Sequence, residues 1–245
     1  MSPADAAAPP ALSFRARVTW LAHLYKACAR QHHRELIPLL RPWIPADAVV
    51  LDVGAHAGQF AKLFARLAPR GRVLAVEPGG YALSILRPAL RVNRLRHVEV
   101  HGVGLGAAPG ELTLTMPVKR SGSMGFGLSH FGSGPGVTQR VPVTTIDRLL
   151  AGTGRLDFLK ADIEGWELQM LRGAAATLDR LRPVLWLEVV DAHLARAGDS
   201  AAALFDFLAA HGYRAHQPDG RPRPGLADGD ILFLPAERSP ASEGR

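Results

Sequence analysis

The stretch Ala48-Val-Val-Leu-Asp52-Val-Gly54-Ala55-His-Ala-Gly58-Gln-Phe60, followed by Arg72-Val-Leu-Ala-Val-Glu77-Pro78, decides the fold. Ala48–Val53 is a short, continuous apolar run of the kind buried on both faces of a parallel sheet. It ends in a glycine-containing turn, Gln59–Leu67 then has helical spacing, and a Pro-Arg-Gly break leads into a second buried run, Arg72–Val76. Strand, helix and strand in that order make one βαβ unit.

The alternation continues outward from this unit. Tyr81–Arg94 reads as a helix interrupted by Pro88, Val98–Gly102 as a third strand, Leu156–Ala161 as another buried strand and Glu164–Leu178 as one helix. Pro183–Val189 is the next strand, Ser200–His211 a helix opened by a capping serine, and Tyr213–His216 with Asp230–Leu234 a final strand pair. Between them, Glu111–Met116 alternates like a strand and Val141–Val143 leads into Thr145–Leu150. Ser121–Gly136 is Gly/Ser-rich without any period, which suits a lid over an active site. On the N-terminal side, Phe14, Val18, Leu21, Leu24 and Leu36 recur at helical spacing between Leu12 and Trp43, giving one or two helices. These either cover the substrate crevice or form a face between two copies of the chain. The expected organisation is a disordered start and helical extension over 1–47, one α/β domain over 48–235 and a polar tail over 236–245.

Composition limits the function. With 47% apolar and 21% charged residues among 245, the chain is globular, and its length fits one α/β domain with an extension. The net charge of +7 invites a nucleic-acid reading, but only four of the 29 basic residues are lysine and the arginines are scattered from Arg15 to Arg245. An arginine-biased composition explains that better than a binding surface. A single cysteine, Cys28, excludes a disulfide framework. The N-terminus lacks the apolar core of a signal peptide, and no apolar run approaches the roughly 20 residues of a membrane span. The expectation is a cytoplasmic protein with no membrane span.

Asp52-Val-Gly54-Ala-His-Ala-Gly58 lies where a buried strand meets a helix, so Gly54 allows both the turn and a close backbone approach by a ligand. The third glycine of the dinucleotide motif is missing, which disfavours a nicotinamide enzyme. Glu77 ends the second strand, beside that turn, where a carboxylate can accept both hydroxyls of a ribose. Together they point to a nucleoside ligand without a demanding phosphate site. In Asp157-Phe-Leu-Lys160-Ala-Asp162-Ile-Glu164-Gly-Trp-Glu167, Asp162 and Glu164 either look into the ligand crevice or serve the next helix as cap and first-turn acid. Glu188, near the end of an apolar strand, must be paired, hydrogen-bonded or facing a site.

These residues resemble the S-adenosylmethionine-dependent methyltransferases of the FkbM type. The likeness rests on VVLDVGAHAGQF, VLAVEP, VPVTTIDRLL, LDFLKADIEGWELQMLRGA, RPVLWLEV and DILFLP, from about Val49 to Pro235. It implies a Rossmann-like class I methyltransferase fold, with a seven-stranded, mostly parallel sheet whose last strand is antiparallel. It further implies O-methylation of a hydroxyl on a sugar or natural product, with no nucleic acid required. Asp52, Gly54 and Gly58 would line the methionine end of the cofactor, with Ala55 beside them. Glu77 and Pro78 would meet the ribose, Gly102 and Val103 the adenine, and Asp162 would complete the set.

Methyl transfer to a hydroxyl needs alignment and a base. Asp162 is the first candidate, Glu188 stands with it, and His130 and His193 follow, each also readable as a surface histidine. Asp162, Glu164 and Glu188 form an oxygen-only set that would suit Mg²⁺. The competing classes are a nucleic-acid or protein methyltransferase and a cofactor-binding protein without turnover.

Overall fold

The computed structural model describes residues 14–116, 130–131, 136–223, 225 and 227–238. The lid reading of Ser121–Gly136 lies largely outside the described residues, as do residues 1–11 and most of the tail. Nine α-helices occur among the described residues: α1 (Phe14–Ala29), α2 (Ile37–Leu40), α3 (Gln59–Leu67), α4 (Gly80–Val92), α5 (Ile146–Leu149), α6 (Glu167–Arg172), α7 (Ala175–Leu181), α8 (Asp191–Arg196) and α9 (Ala201–Ala210). The strands are β1 (Val49–Val53), β2 (Arg72–Val76), β3 (Val98–His101), β4 (Gly104–Leu105), β5 (Gly110–Met116), β6 (His130–Phe131), β7 (Val137–Thr144), β8 (Phe158–Ala161), β9 (Val184–Val189), β10 (Tyr213–His216) and β11 (Gly229–Pro235).

Seven strands form the main sheet in the order β10-β11-β9-β8-β1-β2-β3. Every neighbouring pair is parallel except those made by β11, which is antiparallel to both β9 and β10. Alternation along each strand divides the core between the two faces. Leu51, Val53, Leu74, Val76, Leu185 and Leu187 pack on one face; Val50, Val73, Phe158, Val184 and Trp186 pack on the other. Asp52 and Lys160 lie opposite each other in the β1–β8 register and belong to the second face.

The remaining strands form a separate four-stranded sheet, β4-β7-β5-β6, built around the long β5–β7 antiparallel pair. The extension packs as α1 against α4: Trp20 Nε1 donates to Ser84 Oγ at 2.9 Å, and His23 Nδ1 lies 2.8 Å from the Tyr81 hydroxyl. Buried Lys62 donates to the carbonyls of Ala27 and Arg30 and so closes the end of α1. Helix α1 thus covers α4 rather than the crevice, and its outer side leaves Val18, Leu21 and Tyr25 exposed.

Two helix expectations are corrected. Pro88 does not interrupt α4, because the buried stripe Ala82, Leu83, Ile85, Leu86, Ala89 and Leu90 holds the helix, and Asn93 Nδ2 donates to the Ala89 carbonyl at its end. The single helix read over Glu164–Leu178 is two, separated at Gly173. A Cβ there would stand 2.1 Å from the Gly106 carbonyl oxygen, and the Asp147 carboxylate accepts the N–H groups of Ala176 and Thr177 to open α7. No helix among the described residues is long and apolar enough to cross a membrane.

Candidate active site

A cleft of about 290 Å³ opens at the carboxyl ends of β1, β2 and β8. Its first wall is the turn after β1. Gly54 and Ala55 both donate their N–H to the Val76 carbonyl at 3.0 Å, which locks the turn to the end of β2. Gly54 has φ +76°, and a Cβ on it would lie 2.1 Å from the Asp162 carbonyl oxygen, so the position needs glycine for both conformation and space. Gly58, at φ +88°, is the N-cap of α3. His56 is also left-handed, at φ 48°.

Glu77 ties the turn to β2. Its Oε2 accepts the His56 N–H at 2.9 Å and its Oε1 accepts the Gly79 N–H at 2.7 Å. Burial pushes its carboxyl up to about 7, against those two hydrogen bonds. The His56 ring lines the cleft, burial holds it below the ordinary imidazole value, and its Nε2 has no hydrogen-bond partner among the described residues.

The floor is charged. Lys160 Nζ lies 3.4 Å from Asp162 Oδ2, 3.9 Å from Asp52 Oδ1 and 4.8 Å from the centre of the Phe60 ring. Asp52 is fully buried beneath the cleft, and burial raises it to about 6. Glu188 stands behind Asp162, with Asp230 opposite it in the β9–β11 register. Burial first, and then the charges of Asp162 and Glu164, push Glu188 above the usual carboxylate range.

The segment after β8 is held by Glu167, whose Oε1 accepts the N–H of Ile163 at 3.0 Å and of Gly165 at 3.4 Å. Glu167 is therefore structural, and burial raises it to about 7. Glu164 and Gly165 both have positive φ, and a Cβ on Gly165 would lie 2.2 Å from the His193 carbonyl oxygen. The Glu164 carboxylate meets His193 Nδ1 at 3.3 Å and Arg196 at 3.8 Å.

Of the residues singled out from the sequence, Gly54, Ala55, Glu77, Pro78, Asp162 and Glu164 line the cleft. Asp52 lies under it, Gly58 caps α3, and Glu188 is one row back. Gly102 and Val103 are not among its lining residues, and Val103 packs on the core. His193 pairs with Glu164, and the side chain of His130 lies outside the described residues. Asp162, Glu164 and Glu188 do not assemble as a metal centre: no group of three or more His, Cys, Asp or Glu among the described residues is arranged to hold an ion. The lining also includes Phe131, from the segment read as a lid, together with His33, Gln59, Phe60, Leu114 and Lys160, none of which was assigned to the site from sequence. Of these, only Lys160 left a usable signal, as a lysine inside an apolar strand two residues before Asp162.

Basic side chains stand both outside the cleft and within it. Arg87, Arg91, Arg94 and Arg96 line a depression beside β3, and the cleft itself contains Lys160.

The domain family described as "Methyltransferase FkbM domain" matches residues 52–215. The chain is 32% identical over 209 residues to the AMB antimetabolite synthetase AmbE of Pseudomonas aeruginosa, covering 69% of this chain and 10% of that protein. It is 25% identical over 216 residues to the 2-O-methyltransferase NoeI of Sinorhizobium fredii, covering 82% of this chain and 84% of that protein. Two fungal methyltransferases, from Beauveria bassiana and Sordaria araneosa, match over 59% and 61% of their own lengths, so the chain spans under two thirds of several relatives. Among solved structures, the crystal structure of methyltransferase FkbM from Methylobacillus flagellatus aligns with a TM-score of 0.51 and 19% identity, covering 89% of this chain and 59% of that one. That likeness bears on the fold alone.

Proposed function

The chain belongs to the FkbM methyltransferase family, and from that premise we propose that it uses S-adenosylmethionine to methylate a hydroxyl of a sugar or natural-product small molecule. The observation that carries this reading is the Glu77 carboxylate, held at the end of β2 by two backbone N–H groups immediately beside the bare Gly54 turn. A carboxylate can accept about four hydrogen bonds, so two remain for the vicinal hydroxyls of a ribose. Gly54 and Ala55 present backbone without side-chain bulk, and the His56 ring lines the cleft beside them. These residues fit the cofactor.

When bound, the cofactor supplies an electrophilic methyl group on a sulfonium. The protein then has to align the acceptor oxygen and take its proton. Asp162 does the latter, because it lies on the cleft floor across from the Glu77 wall, while Glu188 supports it from behind. Magnesium has no part in the proposal, since the carboxylates do not gather as ligands. The 2-O-methyltransferase name of one relative favours a hydroxyl oxygen as the acceptor. A cytoplasmic setting, in which the lone Cys28 stays reduced, goes with this reading.

The test is transfer of tritium from methyl-labelled S-adenosylmethionine into extract of the source organism. A labelled product that keeps its methyl group in base, as an ether does, supports O-methylation of a hydroxyl. A base-labile product points to a carboxyl acceptor, label in protein or nucleic acid to the competing classes, and binding without incorporation to a protein lacking turnover.

A further inference from the structure

We infer that Lys160 is a positioning residue for the transfer: its ammonium holds the Asp162 carboxylate at the cleft floor in the place where it takes the acceptor's proton. The inference rests on Asp162 being the base.

Lys160 lies in the middle of the main sheet, on β8, and is 3% exposed. A cation so placed is costly unless it is paired. Packing alone gives no reason for it, since its strand neighbours Phe158 and Leu159 and its register partner Trp186 are apolar and buried. What the lysine does have is two acids. Asp162 is two residues further along the chain, so both side chains leave the same face, and Lys160 Nζ reaches Asp162 Oδ2 at 3.4 Å. Asp52 faces Lys160 across the β1–β8 register at 3.9 Å, but burial lifts that carboxyl to about 6, which makes it the poorer counter-ion. The Phe60 ring closes the remaining side.

Asp162 is otherwise surrounded by acids. The Glu188 side chain from β9 hydrogen-bonds to it, and the charge of Asp162 is also felt by Asp52 from β1, Asp230 from β11 and Glu167 from α6. The histidines nearby, His56 from the β1 turn and His33 from the extension, are both pushed by burial toward their neutral form. Among the described residues, Lys160 is thus the cation in contact with Asp162. It offsets the surrounding negative charge, and its N–H fixes which carboxylate oxygen is turned away from the acceptor. In the step itself the acceptor oxygen forms a bond to the methyl carbon, the sulfur–carbon pair returns to sulfur, and the hydroxyl proton passes to Asp162. Lys160 gains and loses nothing.

The experiment compares wild type, K160M, K160R and D162N. It measures S-adenosylhomocysteine affinity, and the pH profile of tritium incorporation into one extract at saturating cofactor. K160M conserves length and removes the charge; K160Q carries the same arm if K160M does not fold. The expected result is a rate loss of about 100-fold in K160M with cofactor affinity within threefold of wild type, and an acidic limb of the pH profile moved to higher pH. K160R should return that limb toward its wild-type position, and D162N should lose about 10²–10⁴-fold. A K160M protein with wild-type rate and profile beside an inactive D162N overturns the inference. So does a K160M whose loss is entirely in cofactor affinity, or a K160R profile identical to that of K160M. An active D162N overturns the assignment of Asp162 instead.

Discussion

Glu77 Oε2 accepts the backbone N–H of His56 at 2.9 Å, so the residue proposed to meet the ribose also holds the turn proposed to carry the rest of the cofactor. One side chain serves both jobs, and substitutions should separate them. E77Q keeps one oxygen acceptor but replaces the other with a donor, which cannot accept from both a ribose hydroxyl and His56. Hydrogen bonds to a charged group are worth about 1.5–3 kcal/mol, so S-adenosylhomocysteine affinity should fall roughly 10- to 100-fold. E77A should lose affinity and also lower the melting temperature, because the His56 and Gly79 N–H groups lose their acceptor. Calorimetric titration and a thermal melt distinguish the two. Unchanged affinity in E77Q would remove Glu77 from the cofactor site.

Gly54→Ala tests the contact between the first turn and the end of β8. A residue with a side chain at φ +76° carries strain of about 1–3 kcal/mol, and the added Cβ meets the Asp162 carbonyl oxygen at 2.1 Å. The expected outcome is a melting temperature lower by about 5 °C or more, with cofactor affinity falling too, because relief requires the turn and β8 to separate. A substitution at Gly152, where a Cβ would meet nothing within 4 Å, should be nearly silent and is the control.

Glu167 sets a pH dependence of stability with a definite sign. Burial raises its carboxyl to about 7, above an unfolded value near 4.3. The folded state therefore binds the proton more tightly than the unfolded one. The stabilisation is complete below about pH 4 and is lost as pH rises through 7. Gln mimics the protonated form, since its oxygen can still accept from Ile163 and Gly165 N–H. E167Q should match wild type in melting temperature at pH 5 and exceed it at pH 8. E167A leaves both donors unpaired and should be less stable at either pH by about 1–3 kcal/mol. A wild type more stable than E167Q at pH 8 would reverse the sign and refute the argument.

The main sheet was legible because each of its strands carries its own local signal. Continuous apolar runs end at Gly54, Pro78 and Asp162, and the positions of Glu77 and Asp162 follow directly from strand ends. The four-stranded sheet was not legible as a unit. Leu114 reaches the cleft only because β5 pairs with β7 across more than twenty residues, and no local pattern encodes that partner. Gly173 was hidden for a similar reason, since its requirement comes from the Gly106 carbonyl, which is far away in sequence. Lys160 was visible as a letter but its partners were not: only the strand register sets it between Asp52 and Asp162.

His33 is the cleft residue furthest from any sequence signal, and it lies before the segment that matches the FkbM family. Its ring stacks on Phe60 at 4.3 Å with an interplanar angle of 13°, and both rings line the cleft. Such a stack is worth about 0.5–1.5 kcal/mol. H33A should therefore lower the melting temperature by about 2–4 °C for each kcal/mol lost, read in a thermal melt. His33 also has φ 61°, so H33A changes the turn as well as the ring. Asn tolerates that conformation well but cannot stack. If the ring makes the contact, H33N will be as destabilised as H33A; if the turn alone matters, H33N will behave as wild type.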